Sequence, residues 1–275
     1  MIKVKVIHNP KLNCFDEILA TIARNEHRDF ELFLSQAWGF VFLNSCNSAL
    51  LGDRISPNSE RDFDALSKYH GIRCEFIHSR KLTADLLGTL FLNNRYIFAA
   101  IDTYFCSWDK NYLKLHNPHH TIIIDAVSYE SELVYITDPF YEKHYEPVSF
   151  NVFNKGVGEY GTVNITVPQI QIDCILVRNL LLQSTKKIRN DIVGVQNFAC
   201  AMQDVDLDKE TAGYENIWHS PIIFNMGRIA LDRLAYSYML EYLQREYSFA
   251  LSDEILMLES VSDKWNRARS IIVKQ

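Results

Sequence analysis

The chain has 275 residues, 48% of them hydrophobic, enough to bury one large core or two smaller ones. Its 34 acidic side chains outnumber 28 lysines and arginines, for a net charge of −6, and no basic stripe suited to nucleic acid is present. No run of about eighteen apolar residues occurs, so no helical membrane span is expected.

Residues 1–10 alternate apolar and charged groups, which predicts a short strand and no signal peptide, and so a cytoplasmic protein. The six cysteines, Cys14, Cys46, Cys74, Cys106, Cys174 and Cys200, are scattered with no CxxC pair. That predicts free thiols in a reducing compartment and no zinc site. Asn13 then precedes a run in which Phe15, Ile18, Leu19, Ile22 and Ala23 recur at helical spacing. Asn13 is a good N-cap, and Asp16 completes a variant of the capping box. Cys14 therefore falls in the first helical turn, where the positive end of the dipole favours a thiolate.

Residues 29–37 read as a second short helix, and Gly39 opens an apolar strand over 40–43. A helix beginning at Pro57 and Ser59 carries Phe63 and Leu66 and closes at Gly71. A strand follows over 72–77, then a helix capped by Thr83, then a buried strand over 96–101 ending at Asp102. Residues 103–119 form a loop rich in aromatic and polar groups. A hairpin comes next: a strand over 121–127, a polar turn over 128–132 and a returning strand over 133–137. Another strand is expected over 162–167, ending near Pro168. From about Asp173 the periods become helical, with a polar break over 204–213, a long helix over 222–243 despite Gly227, and a last helix from Ser252 to Ile271. The expectation is an α+β domain over residues 1–170 followed by an all-helical domain over 171–275.

Three features carry chemistry together. Cys14 opens a helix, His119 and His120 stand at the mouth of an apolar strand, and Asp138-Pro139 closes the next strand. These are the parts of a cysteine nucleophile with its base and orienting acid. Centring the hairpin turn on Glu130 sets Asp138 opposite Ile122, on the face that also holds His120. His119, on the other face, is the rival base. Asp125 is unusual in so apolar a strand: an edge position reaching water is the simplest explanation, and a second acid near the site is the alternative. Asp102, Tyr104, His116 and His119 are candidate substrate-binding residues, in a loop that also holds Trp108 and Tyr112.

These residues resemble the N-terminal domain of the butirosin biosynthesis protein H family. The blocks that carry the resemblance are Asn13-Cys14, Ile101-Asp102-Thr103-Tyr104 with Asn111-Tyr112 and His116, residues 119–124, and residues 134–139. The helical tail, with 228–234 and Trp265, is similar to members of that group. The resemblance implies a papain-like cysteine-protease fold, an N-terminal helix against an antiparallel sheet. It implies an acyltransferase of specialised-metabolite assembly that moves an acyl or aminoacyl group from an acyl carrier protein thioester, or another thioester donor, to a small-molecule amine acceptor. Cys14 would be acylated, His120 would act as base and Asp138 would orient it. No cofactor or metal is implied beyond the phosphopantetheine arm that the carrier protein brings. Where papain-like enzymes often place an oxyanion-hole glutamine, this chain has His8, Asn9 and Pro10; Asn9, or the Cys14 amide with another donor, can take that role. Where relatives tend to have an aromatic residue and glycine, it has Asp125-Ala126.

Lys110 and Lys114, or Lys186, Lys187 and Arg189, are candidate docking cations for an acidic carrier protein. The helices after residue 173 can cover the sheet domain, form a homodimer contact or do both. A cysteine peptidase or amidase would use the same triad with water resolving the acyl-enzyme. In a non-catalytic papain-like binding protein Cys14 would be inert.

Overall fold

The computed structural model describes residues 4–44, 50–57, 59–77, 82–166, 169–170 and 172–274. In chain order the elements are α1 (Cys14–Asn25), β1 (Val41–Phe42), β2 (Ile55–Ser56), α2 (Phe63–His70), β3 (Ile72–Ile77), α3 (Ala84–Asn93), β4 (Tyr96–Ile101), β5 (His120–Ser128), β6 (Leu133–Asp138), β7 (Lys143–Ser149), α4 (Phe150–Gly156), β8 (Val157–Ile165), α5 (Cys174–Ala201), α6 (Leu207–Thr211), α7 (Pro221–Tyr247) and α8 (Ser252–Val273). The fold class is α+β with an antiparallel sheet, as expected. Two compact units divide it: residues 1–30 with 63–170, and residues 31–62 with 171–275.

The first unit is a six-stranded sheet in the order β3-β8-β4-β5-β6-β7. Each neighbouring pair is antiparallel. Strand side chains alternate between faces, so Ile97, Ala99 and Ile101 of β4 share a face with Ile122 and Ile124 of β5 and with Val134 and Ile136 of β6. Leu87 of α3 and Phe153 of α4 complete that core. The other face of β5 receives α1, whose Ile18, Leu19, Ile22 and Ala23 are fully buried. The capping box forms as anticipated: Asn13 Oδ1 accepts the Asp16 amide at 2.8 Å, and Asp16 Oδ2 accepts the Asn13 amide at 3.4 Å. Gly161 of β8 lies between Phe98 and Phe76 in register, where a Cβ would stand 2.3 Å from the Glu75 carbonyl oxygen and 2.4 Å from the Phe98 ring.

Several expectations need correction. The described residues of the N-terminal segment form no strand. Their amides bind α1 instead: Lys5 N donates to Asn25 Oδ1 at 2.8 Å and Ile7 N to Thr21 Oγ1 at 3.0 Å. The helix expected over 29–37 is a single 3-10 turn, Glu31–Leu34, and that expected from Pro57 begins only at Phe63. β7 and α4 lack a strong pattern in the sequence because β7 is an edge strand with one buried side chain, Val148, and a proline that only an edge tolerates. The expected end of the last strand, Val167-Pro168, and Cys46 lie outside the described residues.

In the second unit, α5, α6, α7 and α8 gather with the β1-β2 hairpin. Here the expected domain boundary is incomplete: residues 31–62 belong with the helices. Phe40, Leu51 and Ile55 from that segment share a core with Phe198, Ile222, Ile223, Met226 and Ile229. Phe40 and Phe198 each pack against Trp265 at 5.8 Å. The expected polar break over 204–213 contains α6, whose buried Glu210 accepts the Gly52 amide at 2.8 Å.

Candidate functional site

Local sequence sets the first half of the site. The capping box starts α1 at Cys14, which puts its sulfur in the first turn. Burial of the β5 and β6 faces sets the second half. The Ile123–Thr137 and Ile124–Ile136 pairs have the register expected from a turn centred on Glu130, and it shifts only beyond Ile124, at Asp125. His120 is the first residue of β5 and Asp138 the last of β6.

The two side chains meet, as that register permits. His120 Nε2 lies 2.7 Å from Asp138 Oδ2, and both groups are buried. Trp108 Nε1 donates to the same oxygen at 2.8 Å, and the Tyr141 amide donates to Oδ1 at 3.4 Å. With Nε2 engaged by Asp138, Nδ1 is the ring nitrogen left to act on the Cys14 thiol. The sulfur also lies 3.5 Å from Thr121 Oγ1 and 3.9 Å from the His119 carbonyl oxygen.

The electrostatics follow from these contacts. Burial pushes the Cys14 thiol up. The hydrogen bond and charge of His120 outweigh that, with help from the hydroxyl and backbone of Thr121, and hold the thiol below its ordinary value. Burial pushes the His120 imidazole down, but Asp138 and Cys14 raise it to about 10. Both shifts favour a thiolate–imidazolium pair, the reactive form of a cysteine nucleophile.

The other expected residues hold different places. His119 offers its carbonyl to the sulfur while its side chain is exposed, so of the two histidines it is His120 that pairs with Asp138. Asn9 Oδ1 accepts the Lys11 amide at 2.9 Å and the Asn9 amide donates to Glu17 Oε1 at 2.9 Å, which ties its segment to α1. Asp102, Tyr104 and His116 come together at the root of the 103–119 loop. Asp102 Oδ1 accepts the amides of Tyr104 at 3.1 Å and Asn117 at 2.8 Å; Oδ2 is 2.6 Å from His116 Nδ1. The His116 ring stacks on Tyr104 at 4.2 Å. Burial pushes the Asp102 carboxyl up, but His116 and the two amides hold it below its ordinary value. This knot fixes the two ends of the loop, and the loop presents Trp108 to Asp138.

Asp125 corrects an expectation. It does not reach water at an edge: it is buried at the bulge in β5, accepts a 2.7 Å hydrogen bond from Thr137 Oγ1, and burial pushes its carboxyl up to about 7 against that bond. It lines a cavity of about 600 Å³ with Tyr96, Phe91 and Val127, toward the end of β5 remote from His120.

Residues without a clear signal in the sequence complete the site. Glu17 reads as an ordinary acidic residue of a first helical turn, yet its side chain is fully buried. Burial pushes it up to about 7 against the pull of the Asn9 amide and His8, and Asp138 adds to the rise. Tyr141 packs against the His120 ring at 5.4 Å and donates its hydroxyl to Asp109. Its position three residues past Asp138 is the one hint the sequence carries.

No protein-family model matches the chain, and no curated protein matches it. Among the described residues no cluster of His, Cys, Asp and Glu is placed to hold a metal ion, and no helix is long and apolar enough to cross a membrane.

Proposed function

We propose that the protein is a cysteine-dependent acyltransferase that carries an acyl group on Cys14 from a thioester to an amine. The observation that carries this reading is the grouping of the Cys14 sulfur, which lies against His119 and Thr121 on either side of His120, with the His120–Asp138 pair. It combines a nucleophile at a helix N-terminus, an imidazole raised by its partners and an acid with two further donors. In the first half-reaction the Cys14 thiolate attacks the thioester carbonyl, and His120 gives its proton to the departing thiol. In the second, an amine attacks the Cys14 acyl group and His120 takes a proton back. The resemblance to the butirosin biosynthesis protein H family supports a papain-like fold, a carrier-protein thioester as donor and a place in specialised-metabolite assembly. Lys110 and Lys114, exposed on the loop before His120, are the candidate cations for an acidic carrier.

The test is the rate of iodoacetamide alkylation at Cys14 against pH, in the wild type and in His120→Ala. Fast labelling near pH 6 that the substitution slows supports the reading. Labelling that follows an ordinary thiol of about 8.5, with no response to His120→Ala, leaves a binding protein with an inert cysteine.

A further inference from the structure

A second histidine–carboxylate pair stands beside the first. His8 Nδ1 lies 2.8 Å from Glu17 Oε1; the Glu17 side chain is fully enclosed while that of His8 is 35% exposed. Glu17 follows Cys14 by three residues on α1, so the two side chains share one side of the helix. Oε1 of Glu17 also accepts the Asn9 amide at 2.9 Å, and Oε2 is buried with no hydrogen-bond partner among the described residues. The His8 ring meets Phe140 edge-on at 6.2 Å, and Phe140 meets the His120 ring at 5.8 Å. One phenylalanine thus touches both imidazoles.

A buried carboxylate that holds one imidazole nitrogen, while the ring stays open to solvent, is the arrangement of a general base. Amine transfer calls for such a group. An alkylamine with a pKa of about 10 arrives protonated at neutral pH, and two protons must leave its nitrogen before an amide is made. His120, neutral once the donor thiol has left, can take one of them.

We propose that His8, oriented by Glu17, is a second general base that removes the first proton from the acceptor amine. The proposal rests on the acyl-transfer reading above. His8 Nε2 takes a proton from the ammonium, and the freed amine attacks the Cys14 acyl carbon. The carbon–nitrogen bond forms, the second proton passes to His120, and the carbon–sulfur bond breaks to return the Cys14 thiolate. His8 then releases its proton to water. His8 is a catalytic residue in this scheme because it touches the acceptor; Glu17 is a positioning residue.

The experiment uses the full chain, p-nitrophenyl acetate as acyl donor and ethanolamine as acceptor, between pH 6 and 10. Acylation of Cys14 is followed by intact mass and, once excess ester is removed, aminolysis by the N-acetylethanolamine formed. In His8→Gln the ratio of aminolysis to acylation at pH 7 should fall at least about tenfold, and the deficit should close towards pH 10, where the amine is already a free base. Added imidazole should restore aminolysis in His8→Ala. Glu17→Gln should move the pH profile of aminolysis more than that of acylation. An unchanged ratio in an acylated His8→Gln protein overturns the proposal alone. A parallel fall in both steps also overturns it and assigns the pair to holding the segment before Cys14. A wild type that is never acylated overturns the acyl-transfer reading and this proposal with it.

Discussion

Trp108 donates its indole N–H to the same Asp138 oxygen that His120 holds, at 2.8 Å against 2.7 Å for the imidazole. One carboxylate oxygen thereby joins a loop to two strands. Trp108→Phe leaves a smaller aromatic ring in place of the indole and removes the donor, leaving His120 on Asp138 Oδ2. A hydrogen bond to a charged group contributes roughly 1.5–3 kcal/mol, so urea unfolding should show a loss of about 2 kcal/mol. Iodoacetamide labelling of Cys14 near pH 6 should slow as well, because Asp138 is less firmly placed to support the imidazolium.

The knot at Asp102 makes a separate prediction about order. Asp102→Ala removes the acceptor for Tyr104 N, Asn117 N and His116 Nδ1 together. The loop over 103–119 should then be cut faster by trypsin at the exposed Lys110 and Lys114. Asp102 is only partly buried and His116 and Asn117 are exposed, so stability should fall by about 0.5–1.5 kcal/mol, the range of an ordinary hydrogen bond whose partners can turn to water. Unaltered cleavage would show that the loop is held elsewhere.

Asp125 predicts a pH dependence. Burial raises its carboxyl from 3.8 to about 7 in the folded chain. The folded state therefore binds more proton between these values, and the stabilisation is complete below 3.8 and lost as pH rises through about 7. Asp125→Asn has no such proton to lose. Relative to wild type it should gain roughly 4 kcal/mol on going from about pH 4 to pH 8, about 1.4 kcal/mol for each unit of the rise, read by urea unfolding at each pH. A pH-independent difference would contradict the buried position.

Gly161 tests the packing of the sheet. A side chain there meets the Glu75 carbonyl at 2.3 Å and the Phe98 ring at 2.4 Å. Backbone cannot yield as a flexible side chain can, so Gly161→Val should cost at least about 2 kcal/mol. A lowered melting temperature with a retained β-sheet circular dichroism signal is the expected result.

The sequence by itself determined the parts that depend on near neighbours. The Asn13–Asp16 capping box starts α1 and puts Cys14 in its first turn, because the interactions involved span three residues. The pairing of His120 with Asp138 was permitted by the sequence but not fixed by it: the pairs beside the turn, from Ser128–Leu133 to Ala126–Tyr135, sit one residue off a turn centred on Glu130, and the bulge at Asp125 restores that register at Ile124–Ile136 and Ile123–Thr137. Even Asp125-Ala126 was visible as an oddity, although not as a bulge. Tertiary structure alone decided the rest. Trp108 reaches Asp138 across 30 residues of chain, and Asn9 and His8 find Glu17 only once their segment folds back on α1. Residues 31–62 join the helical unit because Phe40 and Ile55 find their apolar partners in Phe198 and Ile222, more than 140 positions away. Periodicity reports which face of an element is buried; it holds no record of which distant element will bury it.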